Sequence, residues 1–146
     1  MRIRRLQGGF TLLELMVVIA IISIIASLSA PSFVRQIAKA KLVEAQNIAT
    51  QHQAIVEEFI LINGVFPSST QFDLLKRSLT HDSIVKSISV NDNNGVTGHI
   101  VISLNADTGV DDGQYFDYQR DSAQNWQCTS DLEQALLPGH CQENTE

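Results

Sequence analysis

The chain is short of bases, of cysteines and of recognisable catalytic motifs. Lys and Arg number 10 in 146 residues, against 16 Asp and Glu, a formal charge of −6. That balance argues against a general nucleic-acid binder, which presents a basic face. No serine sits in G-x-S-x-G, and no glycine-rich phosphate loop is present. The four histidines, His52, His81, His99 and His140, are scattered without ligand or triad spacing, and His52 reads as a polar-face or subunit-contact residue of a helix. An enzyme is therefore not expected, and no cofactor or metal is implied. Asn105, Asp107, Asp111 and Asp112 gather oxygen donors near Gly109 and Gly113, but without the EF-hand spacing or its terminal Glu. They read as a solvated hairpin loop. Internal repeats and low-complexity segments are missing. At 44% hydrophobic residues the chain is no disordered polymer, and a single long apolar run excludes a multi-pass membrane protein.

What is present is unevenly distributed. Of the 21 residues from Phe10 to Ala30, 16 are apolar; of the 116 from Pro31 onward, 45 are. Residues 1–9 carry Arg2, Arg4 and Arg5 and no acid, so without them the balance is 7 against 16, or −9. As a helix the apolar run reaches about 30 Å, enough to cross a hydrocarbon core. A basic start followed by an apolar run suggests a signal peptide or a signal anchor. This run is longer than a usual signal core and holds a carboxylate, Glu14. At its end Pro31 lacks an amide hydrogen and crowds the carbonyl of Ser27, which predicts a kink.

The segment RLQGG-FTLLELMVVIAIISIIASLSAPSF resembles the N-terminus of type IV pilins and the related pseudopilins. In that family a short basic leader ends in Gly, Phe follows, Glu lies four residues on, and a long apolar run leads to Pro. Here these are Gly9, Phe10, Glu14 and Pro31, at the family's spacing. The resemblance implies cleavage after Gly9 by a membrane prepilin peptidase, which also methylates the new amine of Phe10. The apolar segment is then retained, and Glu14 with Pro31 belongs to the assembly surface. Relatives often carry Gly between the Glu and the Pro. This chain has none there, and Ser23 and Ser27 are its polar breaks. Glu14 has a physical rationale as well. A carboxylate in hydrocarbon costs several kcal/mol unless paired or protonated. Glu14 lies one helical turn from Phe10, so it is placed to neutralise a new amine on its own or an adjacent chain. It also sits in the first turn, where the helix dipole favours negative charge.

Helical patterning resumes after Pro31. Val34, Ile37, Ala38, Ala45, Ile48, Ile55, Phe59 and Ile62 recur at three- and four-residue spacings, and Asn63-Gly64 is a stop signal. One kinked helix from Phe10 to Ile62 would measure about 80 Å. The stretch AKAKLVEAQNIATQHQAIVEEFILINGVFPSS also resembles major pilins. Beyond it, Thr70 with Asp73 is a candidate cap for a short helix through Leu79. Val85–Val90 alternates as a strand, Asn93-Asn94-Gly95 marks a turn, and Val96–Leu104 reads as the partner. A loop around Asn105–Gly113 leads to a third strand near Tyr115–Gln119. The expected class is α+β: a long kinked helix packed on a small antiparallel head, the pilin fold.

Cys128 and Cys141 lie near the end of the chain. In an exported small domain such a pair is most simply a disulfide; two independent thiols are the alternative. A zinc site needs more ligands, and His140 adds only one. The tail from Trp126-Gln127-Cys128 to Leu137-Pro138-Gly139-His140-Cys141 resembles the disulfide-closed C-terminal region of type IVa pilins. Bases flank both ends of the apolar run (Arg35, Lys39 and Lys41 follow it), so charge leaves the orientation nearly balanced. A disulfide needs the oxidising side, which favours a periplasmic head.

The division expected is a leader at 1–9, a helix at 10–63 with 10–30 in the membrane or filament core, and a head at 64–146 with a disulfide loop. The resemblance implies a structural subunit of a type IV pilus, single-pass in the inner membrane and then extracellular. Its partners would be further pilin subunits, the prepilin peptidase and inner-membrane assembly machinery. Its uses would be adhesion, twitching motility and DNA uptake. The alternatives are a minor or competence pilin with a DNA-binding head, or a type II secretion pseudopilin. The first would use Lys76, Arg77, Lys86 and Arg120, set against twelve acids over residues 64–146. The second is disfavoured by the cysteine tail, because major pseudopilins typically carry a calcium-stabilised loop instead.

Overall fold

The computed structural model describes residues 9–106 and 109–144, with the backbone alone at position 31. The leader arginines Arg2, Arg4 and Arg5, together with Asp107, lie outside that description. Two compact units are seen, one ending at Val34 and the other beginning at Arg35. Helix α1, Leu12–Asn63, runs through position 31 without a break in its assignment and contributes to both.

In the second unit α1 offers one seam to its own head. Ala38, Leu42, Ala45, Ala49, His52, Val56 and Ile60 are all buried, at alternating steps of three and four residues until the last. Two of its alanines, Ala45 and Ala49, belong to the core cluster, and Ala38 lies beside the Gly109 loop. The stripe read from the sequence mixed two faces. Ala38 and Ala45 belong to the seam, but Val34, Ile37 and Ile62 are exposed. A three-or-four spacing rule accepts residues drifting around the helix, and the sheet meets only one line of them.

Helix α2, Ser69–Leu75, starts on a capping box at Ser68 and Gln71, not at Thr70 and Asp73. The Ser68 amide donates to Gln71 Oε1 at 2.9 Å, and the Gln71 amide donates to Ser68 Oγ at 3.4 Å. It stops before Lys76, which is extended, so Leu79 falls outside. Phe72 is its buried anchor.

Five strands form one sheet in chain order: β1 Val85–Asn94, β2 Thr97–Leu104, β3 Tyr115–Arg120, β4 Trp126–Ser130 and β5 Cys141–Glu143. The first three match the expected strands to within a few residues. β4 and β5, five and three residues long, were not foreseen. β5 pairs parallel to β4, so the sheet is antiparallel except at that edge. Alternate residues Ile100, Ile102 and Leu104 of β2 and Phe116 and Tyr118 of β3 face the α1 seam side and form the core with Leu42, Val56 and Phe72.

Gly98, the second residue of β2, lies on the inward face, hard against the Phe66 ring. A Cβ there would stand 2.7 Å from two ring carbons. Phe66 is itself buried, and its amide donates to Gly95 O at 2.7 Å, so the ring has little freedom to retreat. Gly98→Ala is expected to cost about 1–3 kcal/mol through overpacking. Thermal or urea unfolding of the chain measures it; an unchanged midpoint would contradict the close contact.

Candidate functional site

The first site is the start of α1. Gly9 and Phe10 precede the helix and are exposed, Phe10 at 87%. Thr11 caps the helix and Glu14 completes a reciprocal box. Glu14 N donates to Thr11 Oγ1 at 3.2 Å, while Thr11 N and Thr11 Oγ1 donate to Glu14 Oε2 at 2.9 and 2.8 Å. The carboxylate thus has partners within its own first turn. The sequence reading looked only to the Phe10 amine. The T-x-x-E pattern was the missed signal for Thr11.

Beyond the cap, the large apolar side chains from Leu12 to Leu28 are exposed. Ser23, Ser27 and Ser29 donate their hydroxyls to the carbonyls of Ile19, Ile24 and Ile25 at 2.7, 2.7 and 3.0 Å. They thus present no free donor to an apolar surrounding. Among the described residues α1 is the helix long and apolar enough to cross a membrane.

In the head, Cys128 and Cys141 are bonded to one another. They stand opposite each other on the parallel strands β4 and β5, with Cα atoms 4.5 Å apart. The bond ties the last strand to the sheet. A closed loop of this length contributes about 3 kcal/mol on chain-entropy grounds.

The four head bases do not form a free cationic face. Lys76 pairs with Asp73 at 2.6 Å and Lys86 with Asp112 at 2.7 Å. These two lysines and Arg77 line one cavity of about 280 Å³ beside Ser87 and Ile88. Arg120 is not on that surface at all. It is 3% exposed and faces inward from β3. Its Nε and a terminal nitrogen donate to the two Glu57 carboxylate oxygens at 2.7 and 3.0 Å, and the other terminal nitrogen donates to Val96 O at 2.8 Å. Trp126 Nε1 donates to Glu57 Oε1 at 2.8 Å. The Arg120 hydrogen bonds hold the Glu57 carboxyl below its ordinary value, and Glu57 raises Arg120 in return. Asp121, beside it, is lowered by the amide and side chain of Asn125.

Asn105 and Asp112, two donors of the oxygen-rich loop, have protein partners. Asn105 Nδ2 donates to Ser83 O at 2.6 Å, and Asp112 holds Lys86. Sequence reasoning put His52 on a polar or subunit-contact face, and the structure buries it at 2% exposure in the seam. Its Nδ1 lies 2.7 Å from Ile48 O and its ring 6.0 Å from that of Phe72, while Nε2 has no partner among the described residues. Tyr118 is buried likewise with an unpartnered hydroxyl, and burial pushes its phenol above the usual range. His99 bridges to Asp117 across β2 and β3 at 3.0 Å.

Two family patterns match the chain: the prokaryotic N-terminal methylation motif over residues 4–30, and pilin, of the bacterial filament, over 38–142. The chain is 30% identical to the fimbrial protein EcpC of Eikenella corrodens, over 95% of this chain and 93% of that one. Similarity to the type IV major pilin protein PilE of Neisseria gonorrhoeae is 34% over 72% of this chain and 62% of the relative. A fimbrial protein of Pseudomonas aeruginosa is 31% identical over 70% and 71%.

The Glu57–Arg120 pair predicts acid sensitivity. A carboxyl depressed in the fold contributes stability that is present above its unfolded value and lost as pH falls through the folded one. The loss therefore sets in below the ordinary glutamate value of 4.5. Glu57→Gln is expected to cost roughly 1–3 kcal/mol at neutral pH, discounted for partial exposure of Glu57. It is also expected to flatten the acid limb. Urea unfolding of both chains from pH 7 to 3 tests this, and parallel pH profiles would refute it.

Proposed function

The chain belongs to the pilin family of bacterial filament proteins, and from that premise we propose that it is the structural subunit of a type IV pilus, polymerising through α1. The observation that carries the proposal is the N-terminal unit: a helix whose large apolar side chains from Leu12 to Leu28 are exposed, with a carboxylate built into its first turn. Exposed apolar surface on this scale needs a lipid or protein surrounding. A membrane supplies the first before assembly, and copies of the same helix supply the second in a filament.

The residue roles follow from that reading. The leader, residues 1–9, is removed by a prepilin peptidase after Gly9, and the new terminus at Phe10 is methylated. The helix over 10–63 is retained, with 10–30 in the membrane and then in the filament core. Pro31 belongs to this assembly segment. The head over 64–146 stands in the periplasm and later on the pilus surface, an orientation that the Cys128–Cys141 bond favours. Inner-membrane assembly machinery extracts the subunit. The use is mechanical, in adhesion and twitching motility. A DNA-binding head draws little support from bases that are paired at Lys76 and Lys86 and buried at Arg120.

Glu14 is the critical residue. Before the cut its charge is shared with Thr11; afterwards an amine four residues away, or on the neighbouring chain, is the stronger partner. Glu14→Ala is expected to leave the chain in the membrane and abolish surface filaments. Electron microscopy with quantified membrane-held subunit tests this. Normal filament number from the variant would overturn the role given to Glu14. Mass spectrometry of filaments starting anywhere but a methylated Phe10 would overturn the processing.

A further inference from the structure

The head region holds three sequences open to the same spontaneous chemistry: Asn63-Gly64, Asn94-Gly95 and Asp112-Gly113. For an Asn-Gly pair, the glycine nitrogen gives up its proton and attacks the side-chain Cγ. The Cγ–Nδ2 bond breaks and ammonia leaves, closing a five-membered succinimide. Water then opens the ring at either carbonyl. One product is aspartate; the other is isoaspartate, with the main chain rerouted through Cβ. Nothing is oxidised or reduced, and water is the sole co-reactant. At an Asp-Gly pair the same ring closes with loss of water.

We propose that Asn94 is a self-modification site, converting to aspartate and isoaspartate in the folded head while Asn63 and Asp112 stay intact. The distinction is in the hydrogen bonds. Asn63 Nδ2 donates to Phe59 O at 2.9 Å, and the attacking group, Gly64 N–H, is held by Ile60 O at 2.7 Å. Asp112 is held by Lys86 at 2.7 Å, and Gly113 N–H by Leu104 O at 3.0 Å. Each of these pairs thus has both reacting groups engaged.

Asn94-Gly95 has neither. Both residues are exposed, and among the described residues no partner holds the Asn94 side-chain amide or Gly95 N–H. Gly95 is the first residue of a two-residue turn with φ +59°, and the space around its missing Cβ is empty. The strand leading in is irregular: the register shifts between Asn91 and Asn94, and Asp92 has φ +48°. The side chain therefore meets little resistance in swinging onto the nitrogen.

Conversion would be felt locally. Gly95 O accepts from Phe66 N at 2.7 Å, and Asn93 Nδ2 donates to Pro67 O at 3.4 Å, so this hairpin tip holds the segment between α1 and α2. An isoaspartate at 94 lengthens the main chain by one carbon beside that clasp, and either product adds a negative charge to an acidic protein.

The test is peptide mapping of the full-length chain in detergent, incubated at mildly alkaline pH. Ammonia loss and isoaspartate are read at each pair over time, with a parallel sample unfolded in urea. In the folded chain Asn94 is expected to convert at least about tenfold faster than Asn63, as protected groups react only through local opening. In urea the two should converge. Equal rates in the folded chain, or an Asn94 that stays intact there while converting in urea, would overturn the proposal.

Discussion

A helix can give its own domain one stripe of contact, and this constraint organises the molecule. The seam from Ala38 to Ile60 is spent on the head, and the sheet covers that line only. Beside that line Ile48 is partly buried against the core, whereas Val34, Ile37 and Ile62 are left outside. An ordinary globular protein would place polar residues on the remaining faces. Here the surplus grease, densest before Pro31, is the evidence that the helix has other partners.

The seam alone does not fix how the sheet sits on the helix. Glu57, one residue past the seam position Val56, meets Arg120 and Trp126, brought from consecutive strands β3 and β4. Arg120 occupies an inward slot in a strand whose alternation would otherwise put an apolar residue there. A buried guanidinium is costly unless its donors are matched, and two carboxylate oxygens and the Val96 carbonyl match them. The disulfide acts at the other end of the same strand series by holding β5 beside β4. The head is thus tied at its hydrophobic seam, at one polar knot and at one covalent edge.

This division explains what could be read from the residues alone. The methylation motif matched over residues 4–30 is local in sequence, and its spacing is itself the signal. The hairpin from Val85 to Leu104 is legible for the same reason: alternation and a Gly turn are short-range. Arg120 and His52 were misplaced because their environments are made by distant segments. Nothing near Arg120 announces Glu57, sixty-three residues away. His52 reads as polar on a helix until Phe72 and Leu42 are known to share its side. Strands β4 and β5 are only five and three residues long, too short for alternation to stand out in the sequence, and the disulfide and their pairing hold them. The Ser68–Gln71 box was visible, but a competing Thr70–Asp73 pair two residues on had an equal local claim.

The cap at Thr11 changes how the acidic residue of the apolar helix is understood. If Glu14 entered a bilayer bare, desolvation would oppose its insertion. Three hydrogen-bond donations within residues 11–14 satisfy the helix start and the carboxylate together. A hydroxyl and an amide are neutral partners, however, and leave the net charge in place. Only a cation removes it, and the proposed cut after Gly9 would create one within a helical turn. Under that proposal the same carboxylate is tolerable before processing and most stable after it, when an amine competes with Thr11. Because a charged pair gains most where water is excluded, the exchange favours the environment that hides both partners best. On the proposed processing, the four residues from Thr11 to Glu14 would favour cutting before packing.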